Sequence, residues 1–345
     1  MAIVRLAELL RKIILARVGQ DDKKMTKGRL LMAINKAVKL ILKALSYANE
    51  GMELEASRRL ADLKKLDPMR VFVKKLDEKI YNDGYEVPVR IYFPSEIAME
   101  KGLKEGHPYP ILLFFHGGGW VTESVETYDR VCAQMAQSTD HVVISVEYRL
   151  APEYKFPVGL TDCYAVARTV FTNRFVLNTA PENITVIGDS AGGNLAAAVC
   201  LMARDRGEFM PKRQILIYPA VGNDYTESSS FDSVRENGRD YLLTSRQVEE
   251  YMTLYQSEPK DRQSPYFSPL MERNLTGLPK TLILTAEYDP LRDEGEAYGQ
   301  RLADAGNSVE ICRIADALHG YFALGIRHLH VQESFDHINR FLKEA

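Results

Sequence analysis

One tryptophan, four cysteines and no uninterrupted apolar run of about 18 residues, the length of a membrane span, set the first limits on this 345-residue chain. The cysteines, at 132, 163, 200 and 312, show no C-x-x-C spacing. Neither a disulfide framework nor a zinc site of the recognisable spacings is expected, and the thiols in apolar or helical contexts should be buried. The first 20 residues are broken by Arg5, Glu8, Arg11 and Lys12, so they lack the apolar core of a secretory signal. A cytoplasmic protein is the expectation. Net charge is only −3, which gives no general attraction to nucleic acid. Repeats and low-complexity tracts are also missing, which excludes solenoids and arrays.

Charge is nevertheless uneven. Residues 1–70 hold 16 Lys and Arg against 8 Asp and Glu, and the remainder holds 28 against 39. A basic amphipathic segment can lie on an anionic membrane. The plainer reading, which we favour, is the solvated face of a helical unit. Residues 3–18 and 29–48 have helical periodicity, and a shorter helix is expected over about 52–66. Their apolar stripes need a partner, so residues 1–66 are read as a helical cap and 67–345 as the body.

From Val71 the period changes from helix to strand. Val71–Ile80 and Val87–Phe93 flank Asn82-Asp83-Gly84, a hairpin signal. Tyr109–His116 is a continuous apolar run, as a strand buried on both faces requires. Helix and strand then alternate: helix 127–138, strand 141–147, helix 160–171, strand 184–187, a helix from 191, strand 214–218, strand 281–286, helix 291–305, strand 308–314 and helix 332–343. This alternation predicts an α/β fold, a mostly parallel central sheet with helices on both faces. Residues 222–270 are polar and loop-rich, with one helix near 245–255. They read as an insertion, with a second part of the cap at about 222–262.

In such a sheet the active residues gather at the C-terminal ends of strands. Gly188-Asp189-Ser190-Ala191-Gly192 is a G-x-S-x-G pattern between a β-branched strand and a helix-forming run. A serine there sits in strained backbone with its hydroxyl exposed. Gly117, Gly118 and Gly119 follow the first buried strand and leave room for backbone N–H groups to reach an oxyanion. The N–H of Ala191 would complete the hole. Asp289 and His319 follow later strands, in the Ser…Asp…His order of this fold. Serine needs a histidine to take its proton, and the histidine needs an acid to hold its tautomer. Asp293 and Asp316 compete with Asp289, although Asp293 fits the first turn of a helix. His328 and His330 lie in or beside a helix, which favours His319. His116 reads as a loop-orienting group.

Five motifs in order carry a resemblance: His116-Gly117-Gly118-Gly119-Trp120, Tyr148-Arg149-Leu150-Ala151-Pro152-Glu153, Gly188-Asp189-Ser190-Ala191-Gly192-Gly193-Asn194, Asp289-Pro290-Leu291-Arg292-Asp293-Glu294-Gly295, and His319-Gly320. Over about residues 70–345 the chain resembles the hormone-sensitive-lipase-like family of α/β-hydrolase esterases, in its GDSAG branch. The resemblance implies a Ser190, Asp289 and His319 triad, with Gly118, Gly119 and Ala191 as oxyanion donors and Gly117 supporting the loop. Tyr154-Lys155 departs from the His-Pro often found in the family, which bears on loop packing. The implied activity is a serine carboxylesterase acting on small-molecule esters, with no cofactor and no metal; the polar residues of the 222–262 insertion, with Trp120 beside the glycine loop as a wall of a small pocket, point to short acyl chains. An acetyl esterase on acetylated sugars and an amidase are alternatives on the same residues. A ligand-binding receptor is another, since the family resembles plant gibberellin receptors, but those have lost the histidine. A lipid-surface lipase would rest on the basic N-terminal segment. A homodimer is compatible with the sequence.

Overall fold

The computed structural model describes Lys43 and residues 53–62, 75–172, 177–324 and 328–344. The expected helices over 3–18 and 29–48 therefore lie outside the described residues, Lys43 excepted. So does most of the expected N-terminal cap. What is described there is helix α1, Leu54–Asp62.

The sheet follows from where continuous apolar runs must go. Strand β3, Ile111–Phe115, is buried at every position. So are β4, Val142–Val146, and β5, Ile184–Asp189. Strands buried on both faces need layers on both sides. Leu112 and Phe114 pack with helices α3, Asp129–Thr139, and α9, Leu329–Lys343. Ile111, Leu113 and Phe115 pack with α4, Val158–Thr172, and α5, Ala191–Arg206. The strands run in the order β1-β2-β4-β3-β5-β6-β7-β8, where β1 is Lys75–Asn82, β2 Tyr85–Tyr92, β6 Arg213–Ile217, β7 Lys280–Tyr288 and β8 Val309–Leu318. The β1–β2 and β2–β4 pairs are antiparallel, and every other pair is parallel. Helix α8, Arg292–Asp304, packs beside β7.

Three local readings are corrected. The hairpin is tighter than expected: Asn82 pairs with Tyr85, so only Asp83 and Gly84, both at positive φ, make the turn. A helix missing from the sequence reading, α2, spans Glu96–Glu105. Its caps were legible: Ser95 accepts a hydrogen bond from the N–H of Ala98, and Gly106 ends it in left-handed backbone. Strand β8 runs to Leu318 rather than 314, past a register shift opposite Ala286 and Tyr288. Asp316, at φ 57, belongs to this irregular end.

The β6–β7 connection holds α6, Asp232–Glu236, and α7, Ser245–Tyr255, the latter opened by a Thr244–Gln247 capping box. Among the described residues no helix is long and apolar enough to cross a membrane.

Candidate active site

The turn after β5 is held in a shape that side chains would forbid. A Cβ on Gly188 would lie 2.2 Å from the carbonyl oxygen of Gly192, and one on Gly192 would lie 2.0 Å from that of Phe115. Glycine at both places lets strand, turn and helix close up. Ser190 takes the strain, at φ 56 and ψ −119. Its backbone N–H donates to Ile217 at 2.8 Å. Its hydroxyl is left at the N-terminus of α5, facing the imidazole of His319.

The side chains of three separate strand ends meet here. His319 Nε2 lies 2.9 Å from Ser190 Oγ, and its Nδ1 lies 2.6 Å from Asp289 Oδ2. Asp289 is fully buried. Its other oxygen accepts the N–H of Leu291 at 2.9 Å, which fixes the carboxylate plane. Helix α6 anchors the same loop, since Asn237 donates to the Asp289 carbonyl and Ser233 to that of Pro290. The imidazole Nδ1 meets Asp289 and neither competing acid. Asp293 accepts from the Ser233 N–H and from Arg292, and Asp316 uses its own N–H toward Glu287. His328 precedes α9 and His330 lies within it.

The glycine loop divides its labour. Gly117 does not offer its N–H to the site; it donates to Asp189 Oδ1 at 2.9 Å. This corrects its inclusion among the oxyanion-hole residues and agrees with the supporting place that the resemblance implied. The N–H groups of Gly118, Gly119 and Ala191 have no partner among the described residues. Gly118 and Gly119 adopt φ 112 and 60, which favours glycine. His116 is buried, stacked on Tyr148 at 4.4 Å, with Nδ1 2.8 Å from the Gly117 carbonyl. It orients the loop, as its position suggested.

Three supporting roles went unseen in the sequence. Asp189 is buried, and burial pushes its carboxyl up, against a hydrogen bond from Tyr128 at 2.8 Å. Tyr218 lays its ring 4.7 Å from the His319 ring and receives the Phe322 N–H on its hydroxyl. Tyr251, from α7, lies so close to Gly119 that a Cβ there would meet its ring at 2.6 Å. Trp120, expected beside a substrate pocket, is instead buried, stacked on Tyr255 at 4.7 Å. Local signals for such contacts do not exist, because each joins residues remote in sequence.

The comparisons with known proteins bear on this geometry. Residues 112–323 match a family described as the alpha/beta hydrolase fold. The chain belongs to this alpha/beta hydrolase family. It is the set of hormone-sensitive-lipase-like esterases that the five motifs resemble. The hydrolase is 37% identical over 71% of its length to an arylesterase of Saccharolobus solfataricus, covering 76% of that protein. It is 36% identical over 74% of its length to the carboxylic ester hydrolase LipN of Mycobacterium tuberculosis, and spans 66% of that longer relative. A hyperthermophilic esterase from the archaeon Pyrobaculum calidifontis superposes with a TM-score of 0.79 at 36% identity, over 90% of this chain and 98% of the other.

One buried acid of the hydrolase stands next to this machinery without touching it. Glu294, in the first turn of α8, accepts the N–H groups of Val221 and Gly222 at 2.8 and 3.1 Å and the hydroxyl of Tyr225 at 2.7 Å, all on one oxygen. Burial pushes its pKa from 4.5 up to about 8, despite those bonds. The folded state therefore holds a proton that the unfolded chain releases. This contribution to stability is fully present below pH 4.5 and is lost as pH rises through about 8. Glu294→Gln keeps the shape, the acceptor and the neutrality. It should flatten the fall of melting temperature between about pH 5 and pH 8. Thermal unfolding across that range checks it, and an unchanged slope would count against a protonated Glu294.

Proposed function

We propose that this hydrolase cleaves small carboxylic esters through an acyl-enzyme, with Ser190 as nucleophile, His319 as base and acid, and Asp289 as the group that orients the imidazole. The unbroken chain of short contacts from Ser190 Oγ through His319 to Asp289 carries the reading. His319 Nε2 takes the hydroxyl proton as Oγ attacks the ester carbonyl. The proton bound at Nδ1 points at buried Asp289, which stabilises the imidazolium as it forms. Negative charge grows on the carbonyl oxygen in front of the Gly118, Gly119 and Ala191 N–H groups and the N-terminus of α5. Fixed dipoles of this kind pay no reorganisation cost during the step. His319 then gives its proton to the leaving alcohol. A water activated by the same nitrogen attacks the acyl-enzyme and frees the acid, so no step calls for a metal or cofactor.

The β6–β7 connection acts as a cap over this site, and α1 belongs to the same cover. Arg58 of α1 pairs with Glu153 at 2.7 Å and donates to the carbonyls of Val121 and Ala151. It thereby ties the segment after the glycine loop to the departing Tyr154-Lys155 region. A histidine held on the serine speaks against the ligand-binding alternative. The cytoplasm is the proposed compartment: Cys132, Cys163 and Cys200 are buried free thiols, as reducing conditions allow.

Short acyl chains fit the cap best. Asp224, Thr226 and Ser228 bond among themselves, and Arg239 pairs with Glu227, so this stretch offers little apolar surface. The Tyr251 ring fills space beside Gly119. Each CH2 of a longer chain would contribute roughly 0.8 kcal/mol only where apolar wall receives it. Initial rates on p-nitrophenyl esters, below their critical micelle concentrations, test the proposal. We expect kcat/KM for butyrate to exceed that for palmitate at least tenfold, and a palmitate value equal to or above butyrate would overturn the short-chain reading.

A further inference from the structure

At the sheet edge, three strands from β5, three different donor side chains come together. Glu310 and Cys312 are two apart on β8 and share its face toward α9. His337 lies on α9, with Glu333 four residues before it on the same side of the helix. Cys312 Sγ is 3.3 Å from Glu310 Oε1, and His337 Nδ1 is 3.6 Å from that same oxygen. The three donor atoms all lie within 4.8 Å of one another, on half-buried residues. A tetrahedral zinc with bonds of about 2.0–2.3 Å needs donor–donor edges of roughly 3.3–3.6 Å. Two of the three edges already have that length.

We propose that Glu310, Cys312 and His337 form a binding site for a borderline-soft divalent cation, zinc in particular, which pins edge strand β8 to the C-terminal helix α9. The donor set selects the class of ion. Thiolate and imidazole suit zinc, and magnesium and calcium require oxygen ligands. A solvent water completes the tetrahedron. Sequence spacing hides the site, because two ligands come from a strand and one from a helix 25 residues after Cys312.

A competitor occupies the cluster. Arg340 donates to Glu310, and its guanidinium lies 2.8 Å from His337 Nδ1. Its side chain is 54% exposed, so it can swing outward as a dication takes its place. Positive charge leaves the cluster with Arg340, which makes removal of the arginine a specific test.

Cobalt(II), added to the purified full chain, is the probe. We expect one equivalent to give a thiolate-to-cobalt charge-transfer band that zinc displaces. Cys312→Ser should abolish the band, because the other three cysteines are fully buried. His337→Ala should weaken binding at least tenfold, and Arg340→Ala should tighten it at least threefold. The ester hydrolysis rate, expected to be unchanged in every variant, reports that each has folded, and Cys312→Ala stands in should the serine variant not fold. Absence of the band at millimolar cobalt, a band that survives loss of Cys312, or an affinity indifferent to Arg340 would overturn the site.

Discussion

Ser190→Ala should reduce kcat by on the order of 10⁶, as removal of the serine does in serine proteases, and should leave the unfolding temperature nearly unchanged. The two halves of this expectation have separate causes. The strained backbone at φ 56 is borne equally by serine and alanine, since both carry a Cβ. The Ser190 N–H keeps its bond to Ile217, and its carbonyl still accepts from Asn194 at 3.0 Å. What disappears is the hydroxyl 2.9 Å from His319 Nε2, and with it the acyl-enzyme. The oxyanion donors remain, so a residual rate of about 10³–10⁴ over water is expected. Burst kinetics with p-nitrophenyl acetate on protein free of wild-type contamination would check it. A burst or a turnover within a hundredfold of wild type would remove Ser190 from the role of nucleophile.

The elbow was legible because its signal is local. A β-branched strand, two glycines around Asp-Ser and a helix-forming run lie within 15 residues. The places of Asp289 and His319 were legible for a topological reason: both follow apolar strands in a parallel sheet. Distance in sequence hid the rest. Gly117 looks the same as Gly118 and Gly119 in the sequence. The family resemblance alone set Gly117 apart, and the physical cause is the approach of Asp189, 72 residues away, which takes up its N–H while those of Gly118 and Gly119 stay open. Tyr251 and Tyr218 are two aromatics among 18 tyrosines, and nothing in their neighbours marks them. Glu294 was quoted within a motif, but its burial against Val221, Gly222 and Tyr225 depends on a loop about 70 residues earlier. Trp120 shows the converse error. Its position beside the glycine loop suggested a pocket wall, whereas Tyr255 and Phe267 cover it and make it part of the core.

Asp289→Asn should lower kcat by about 10⁴ while KM changes little, by analogy with the same change in a serine protease triad. The reason lies in which atoms Asp289 faces. Oδ1 accepts the Leu291 N–H at 2.9 Å, and Oδ2 faces His319 Nδ1 at 2.6 Å. An asparagine must put its NH2 toward one of them. Directed at Leu291, it would set donor against donor in a fully buried place and leave both unsatisfied, at a cost of about 1–3 kcal/mol. Directed at His319, it donates to Nδ1 and drives the ring proton onto Nε2. That nitrogen then cannot accept from Ser190, and the nucleophile is left without a base. The second orientation keeps the Leu291 bond and should prevail. Asp293→Asn makes the contrast, because Asp293 serves Ser233 and Arg292 rather than the imidazole. It should lower the melting temperature and change kcat by less than tenfold. Should Asp293→Asn cost more in kcat than Asp289→Asn, with both proteins folded, the acid of the relay has been misassigned.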